Sequence, residues 1–138
     1  DIFSYYGLGC RNVTKVYLPE GYEIPKLLDA LQAYQDIINH NKYKNNYDYF
    51  LAIYLLNRVS YLTNDFLLLV ENKVPFSAVS VLHYEFYSSK DVVIQDLQSD
   101  DNIQCIVNNA HVNYGASQAP ALSDYADGAD TMMFLSSL

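Results

Sequence analysis

The chain has 138 residues, 51% of them hydrophobic, and carries 16 acidic against 8 basic side chains for a net charge of −8. That length fits a single domain with enough apolar residues to build a core. No basic stripe runs along any segment, which argues against nucleic acid and against an anionic membrane surface, since both draw affinity from clustered Lys and Arg.

No apolar run approaches the roughly 18 residues of a membrane span, and there is no charged-then-apolar secretory leader. The two cysteines, Cys10 and Cys105, are not needed as a staple at this length. Both read as reduced thiols in a cytoplasmic protein. The chain opens on Asp1 and runs straight into an apolar stretch, which reads as a cut through a larger protein.

In chain order, the first strand signal is Asn12 to Leu18, "NVTKVYL", with Val16 and Leu18 facing inward. Pro19, Glu20 and Gly21 end it. From Pro25 to about His40, apolar residues at Leu27, Leu28, Leu31, Tyr34, Ile37 and Ile38 predict an amphipathic helix, with Pro25 tolerated in its first turn. Asn39 to Asn46 reads as a polar connector. Tyr47 to Arg58 reads as a second helix, apolar nearly all round and so well buried. Leu67 to Val70 and Ala78 to Tyr87 read as strands separated by a break at Pro75. Asp91 to Leu97 reads as a short helix capped by Ser88 or Ser89, and Ile103 to Val107, "IQCIV", as a short buried strand. Ser123 to Leu138 reads as a closing helix with Tyr125, Ala129, Met132, Met133 and Leu135 inward. This alternation predicts an α/β layered domain.

The segment "YYGLGCRNVTKVYL", Tyr5 to Leu18, places Cys10 between a glycine turn and a strand. Glycines let a substrate approach the backbone, free turn amides can face an oxyanion, and Arg11 adds charge that favours thiolate. Cys10 is therefore a candidate nucleophile. The residues alone favour the other reading, a small buried cysteine in a strand-leading turn.

"GLGCRNVTKVYL" resembles the catalytic-cysteine segment of the aldehyde dehydrogenase superfamily. There a glycine lies three residues before the nucleophile and a basic residue five after it, here Gly7, Cys10 and Lys15. Val112 to Leu135, "VNYGASQAPALSDYADGADTMMFL", resembles that superfamily's closing segment and terminal helix. The connector "INHNKYKNNYDY" (Ile38 to Tyr49), "IQCIV" and "DYADGADTMMFL" are similar to bacterial acyl-CoA reductases of the bioluminescence fatty-acid reductase (LuxC) type. The resemblance covers nearly the whole chain.

It implies an aldehyde-dehydrogenase-like catalytic domain, a layered sheet flanked by helices. Residues 1–138 would form the C-terminal catalytic half of an acyl-CoA reductase, whose nucleotide-binding domain is absent from this chain. It further implies that Cys10 takes the acyl group from an acyl-CoA or acyl-carrier thioester, with its backbone N–H helping to hold the oxyanion. NAD(P)H would serve the full-length protein, none would be bound by this chain alone, and the product would be a fatty aldehyde. The superfamily's habit of pairing across subunits implies a homo-oligomer. In keeping with an absent cofactor domain, no G-x-G-x-x-G occurs here. One departure is plain: the acidic residue that usually precedes an F-G-P segment is missing from "VPFSAVSV", Val74 to Val81. Glu71 is out of register, and it receives no cofactor role. The alternative is a non-catalytic α/β interaction or structural domain that keeps the fold.

His40, His83 and His111 show no metal spacing. His83 and Glu85 share a strand face and read as a hydrogen-bonded edge pair, with an acid–base pair as the functional alternative. Asp124, Asp127 and Asp130 read as capping and solvated acids rather than a calcium site. Tyr43, Tyr47, Tyr49, Tyr54 and Tyr61 read as core packing, or as the lining of an acyl slot or an interface. Cys105 reads as a buried strand residue.

Overall fold

The computed structural model describes residues 1–138 and folds them into an α/β arrangement around a four-stranded mixed sheet. In chain order the elements are β1 (Lys15–Pro19), α1 (Ile24–Leu31), α2 (Asn41–Asn57), β2 (Leu62–Thr63), β3 (Leu68–Glu71), β4 (Val81–Tyr87), α3 (Lys90–Gln98) and α4 (Thr131–Ser136). The strand order is β1-β4-β3-β2. β1 and β3 flank β4 in parallel, and β2 adds an antiparallel edge to β3. No helix is long and apolar enough to cross a membrane.

The continuous apolar run Phe66 to Val70 is buried throughout, as expected of an inner parallel strand covered on both faces. Alternation then sends its side chains to two cores. Leu67 and Leu69 join Leu18, Leu28, Leu82 and Tyr84 on one face, under α1 and the segment after it. Leu68 and Val70 join Val81 and Tyr47 on the other, under Phe50, Leu51 and Tyr54 of α2. The three layers follow directly from a period of two in the strands and a stripe on each helix.

Several expected elements are corrected. The helix expected from Pro25 to His40 is α-helical only to Leu31 and continues as a 3-10 helix over Gln32–Asn39. The expected polar connector is helix: α2 starts at Asn41, with the His40 ring nitrogen accepting from the Tyr43 amide at 3.4 Å. Tyr43 and Tyr47 form the buried stripe of its first turns, and Lys44 pairs with Asp48 on the wet side. Its C-terminal end is not well buried, since Leu56 is 83% exposed. Ser89 occupies the N-cap position of α3, but its side chain makes no capping bond. Ile103 to Val107 forms no strand; a single bridge joins Val107 to Val112. The closing helix shrinks to α4, and Ala129, Met132, Met133 and Leu135 are exposed rather than inward, with Tyr125 half-buried. Nothing in the chain lies over that apolar face, so periodicity there had no core to meet.

The tyrosines of α2 bolt helix to sheet. The Tyr43 hydroxyl donates to the Phe66 carbonyl at 3.0 Å, and Tyr47 bonds the Thr63 hydroxyl at 2.9 Å. Burial raises the pKa of Tyr43 well above the ordinary 10.0, and burial raises Tyr47 and Tyr84 as well. A phenol whose folded pKa lies above its unfolded one binds its proton more tightly when folded. The stabilisation is complete below about pH 10 and is lost as pH rises beyond it, at up to about 1.4 kcal/mol per pH unit per residue. Chemical denaturation across the alkaline range should show this fall, and Tyr43→Phe should flatten it while lowering neutral stability by about 1–3 kcal/mol, because the Phe66 carbonyl loses its partner.

Candidate active site

Cys10 sits in a turn closed by the Asn12 amide donating to the Gly9 carbonyl at 2.9 Å. Its side chain is exposed. The Cys10 and Arg11 amides donate to no acceptor in the chain and stay free in the turn. Gly9 is required by packing: a Cβ there would stand 2.4 Å from Asn12 Oδ1 and 3.0 Å from Gln118 Oε1.

Asn12 is the clamp of this loop. Its amide group donates to the carbonyls of Asp1, Ile2 and Ser4 at 3.2, 2.9 and 2.9 Å, and its oxygen accepts from Gln118 at 3.1 Å. Asp1 holds the far loop in turn, accepting from the amides of Gly115 at 2.7 Å and Ser117 at 3.0 Å. Arg11 completes the tie: Nε donates to the Ser117 carbonyl at 2.7 Å, and the guanidinium lies 4.0 Å from Asp124. Its charge is thus directed at the 117–124 loop. Asn12→Ala should free four hydrogen bonds at once, cost about 1–3 kcal/mol, and increase hydrogen exchange in residues 1–12 relative to β3.

A cavity of about 680 Å³ opens beside Cys10, within the range of small-molecule sites. Val13, just before β1, and Val16 and Leu18 of β1 form one wall; α3 contributes Val93, Ile94 and Leu97. The segment of Ile103, Cys105 and Ile106 forms a third wall. The lining is therefore mainly apolar, with Asp1, Cys10, Arg11, Lys15, Lys90 and Cys105 as its reactive or charged members. Lys15 is committed elsewhere: Nζ bonds Glu85 at 2.6 Å and the Lys73 carbonyl at 2.7 Å, and lies over the Tyr17 ring.

Cys105 is half-buried in the wall next to the Cys10 turn, its Sγ 3.9 Å from the Arg11 carbonyl oxygen. Burial pushes its thiol pKa up, partly opposed by Arg11. His83 and Glu85 are not partners: His83 Nδ1 meets the Val74 carbonyl at 2.8 Å, and Glu85 meets Lys15. Asp124 and Asp130 cap turns through the amides of Ala121 and Met133, and no cluster of His, Cys, Asp or Glu is arranged to hold a metal. Glu71 is exposed on the sheet and lies outside the cavity wall.

Sequence reasoning singled out Cys10 and Arg11 but not Asp1, Asn12 and Ser117, which fix their loop. Asn12, directly after Cys-Arg, was the available signal, since Asn in a turn commonly bonds nearby backbone. Ser117 carried none: it is fully buried with an unpartnered hydroxyl, a feature that only the tertiary arrangement creates. Comparison of the chain with protein-family models, with curated proteins and with solved structures finds no match in any of the three.

Proposed function

We propose that this chain is the acyl-accepting, cysteine-bearing part of an NAD(P)H-dependent acyl-CoA reductase with an aldehyde-dehydrogenase-like catalytic domain, acting in the cytoplasm on an acyl-CoA or acyl-carrier thioester. The observation that carries the reading is an exposed thiol with a free backbone amide at the edge of an apolar cavity. In this reading the Cys10 thiolate adds to the thioester carbonyl and the donor thiolate leaves, so the acyl group passes to Cys10 Sγ. The Cys10 N–H, and the free Arg11 N–H beside it, face the developing oxyanion. The cavity walls receive the acyl chain. When bound in the remainder of the protein, NAD(P)H would supply the hydride that releases the aldehyde; no residue here is assigned to holding it. Arg11 holds the loop that carries Cys10 through the Ser117 carbonyl.

The exposed area also supports a partner body. The surface measures 9279 Å², against about 7,300 Å² expected for a compact monomer of 15.7 kDa. A nucleotide-binding half and a second copy of the chain would cover this excess. The same surface favours the second reading, a non-catalytic α/β interaction domain. Incubation with a labelled fatty acyl-CoA separates the two. A hydroxylamine-sensitive label is expected on the wild type and on Cys105→Ala, and none on Cys10→Ala. An unlabelled wild type would favour the interaction domain. Residues 1–138 alone should accept the acyl group but release no aldehyde with either nicotinamide, and should self-associate in light scattering.

A further inference from the structure

The two thiols of this chain come from opposite ends of the sequence and open onto the same cavity. Cys10 is exposed in the Gly9–Asn12 turn, and Cys105 Sγ lies 3.9 Å from the carbonyl oxygen of Arg11, the residue that follows Cys10. Neither segment is held by a ladder. The Gly9–Asn12 turn lies outside every helix and strand, and the amides of Gln104, Cys105, Ile106 and Val107 donate to no acceptor in the chain. A disulfide needs Cα atoms within about 7 Å; Cys105 Sγ already lies against the residue that follows Cys10, and the 104–107 backbone with its free amides is the side able to move, while Asn12 and Arg11 hold the Cys10 turn in place.

We propose that Cys10 and Cys105 form a reversible redox switch, in which a hydroperoxide oxidises the pair to an intramolecular disulfide that masks Cys10 and closes the mouth of the cavity. This goes beyond the thioester reading, since it asks only that Cys10 be an accessible thiol. In the first step the Cys10 thiolate attacks one peroxide oxygen. The O–O bond breaks, the peroxide is reduced, and water or an alcohol leaves with a proton, giving a Cys10 sulfenic acid. In the second step Cys105 sulfur attacks the sulfenic sulfur. The S–O bond breaks, hydroxide leaves and takes the Cys105 proton as water, and the S–S bond forms. The roles follow from the surroundings. Exposure makes Cys10 the thiol that meets the oxidant, whereas Cys105, half-buried and held protonated by burial, waits to resolve it.

The test is hydrogen peroxide on the reduced chain, followed by intact mass, peptide mapping and a non-reducing gel, with a 1,3-diketone as the sulfenic-acid trap. The wild type should lose about 2 Da, stay monomeric on the gel, yield a linked Cys10–Cys105 peptide, and return to its reduced mass with dithiothreitol. Cys105→Ser, and Cys105→Ala as a second variant, should accumulate the diketone adduct on Cys10 at several times the wild-type level. The peptide map of the wild type needs no variant, so a misfolded variant does not blur the outcome. Equal diketone trapping in wild type and variants with no linked peptide, or disulfide-joined dimers in place of the internal bond, would overturn the proposal. Acyl labelling is scored separately, so either reading can fail while the other stands.

Discussion

Iodoacetamide near neutral pH should alkylate Cys10 at least about tenfold faster than Cys105, because a thiol reacts as its thiolate and only where the reagent can reach it. Cys10 stands exposed in its turn, whereas Cys105 is half-buried and its thiol is pushed up by burial despite the neighbouring Arg11. The rate for Cys105 should climb with pH through and beyond the ordinary thiol range. In Arg11→Ala two effects on Cys105 oppose each other. Loss of the charge raises its pKa further, and loss of the tie to Ser117 exposes it. Quantifying both alkylated peptides in one digest resolves the two rates. Equal rates would place Cys10 in surroundings quite unlike this turn.

Leu69→Ala should be among the most damaging single truncations in the protein, costing about 2–5 kcal/mol. Leu69 is fully buried on an inner strand and packs in the larger core with Leu18, Leu28, Phe66, Leu67, Leu82 and Tyr84. Only 16 of the 138 residues are buried, so there is little other packing to compensate. Against a total of about 5–15 kcal/mol for a typical domain, that loss moves a urea midpoint by about 1 M or more at unchanged slope. Leu56→Ala, at 83% exposure, should stay within about 0.5 kcal/mol. A comparable loss at both positions would mean that the end of α2 is covered in solution.

The inner part of the fold was legible from the sequence because strand alternation and helix stripes converge there. Leu18 faces the core as its alternation requires, and β3 and β4 fall within about three residues of their expected bounds. Legibility failed where one physical cue stood for two outcomes. The polar run Asn39 to Asn46 looks like a connector, yet Tyr43 and Tyr47, four residues apart, already carry a buried stripe. "IQCIV" has strand composition, but a strand exists only through a ladder, and no neighbouring edge pairs with it here. The helix expected from Ser123 onward has apolar periodicity with no surface to meet. At the site, the cysteine and its glycines were readable, while the ties from Asp1 and Arg11 to Ser117 span over a hundred residues and leave no local pattern.

The proposed function requires that Cys10, and no other side chain, accept an acyl group from a thioester. Its most direct measurement is peptide mapping by mass spectrometry after incubation of the chain with a fatty acyl-CoA and acid quenching without reductant. A hydroxylamine-labile acyl group is expected on the peptide that carries Gly9, Cys10 and Arg11, at a stoichiometry approaching one per chain, with Cys105 unmodified. Acyl groups on Cys105, or spread over lysines with Cys10 free, would contradict it.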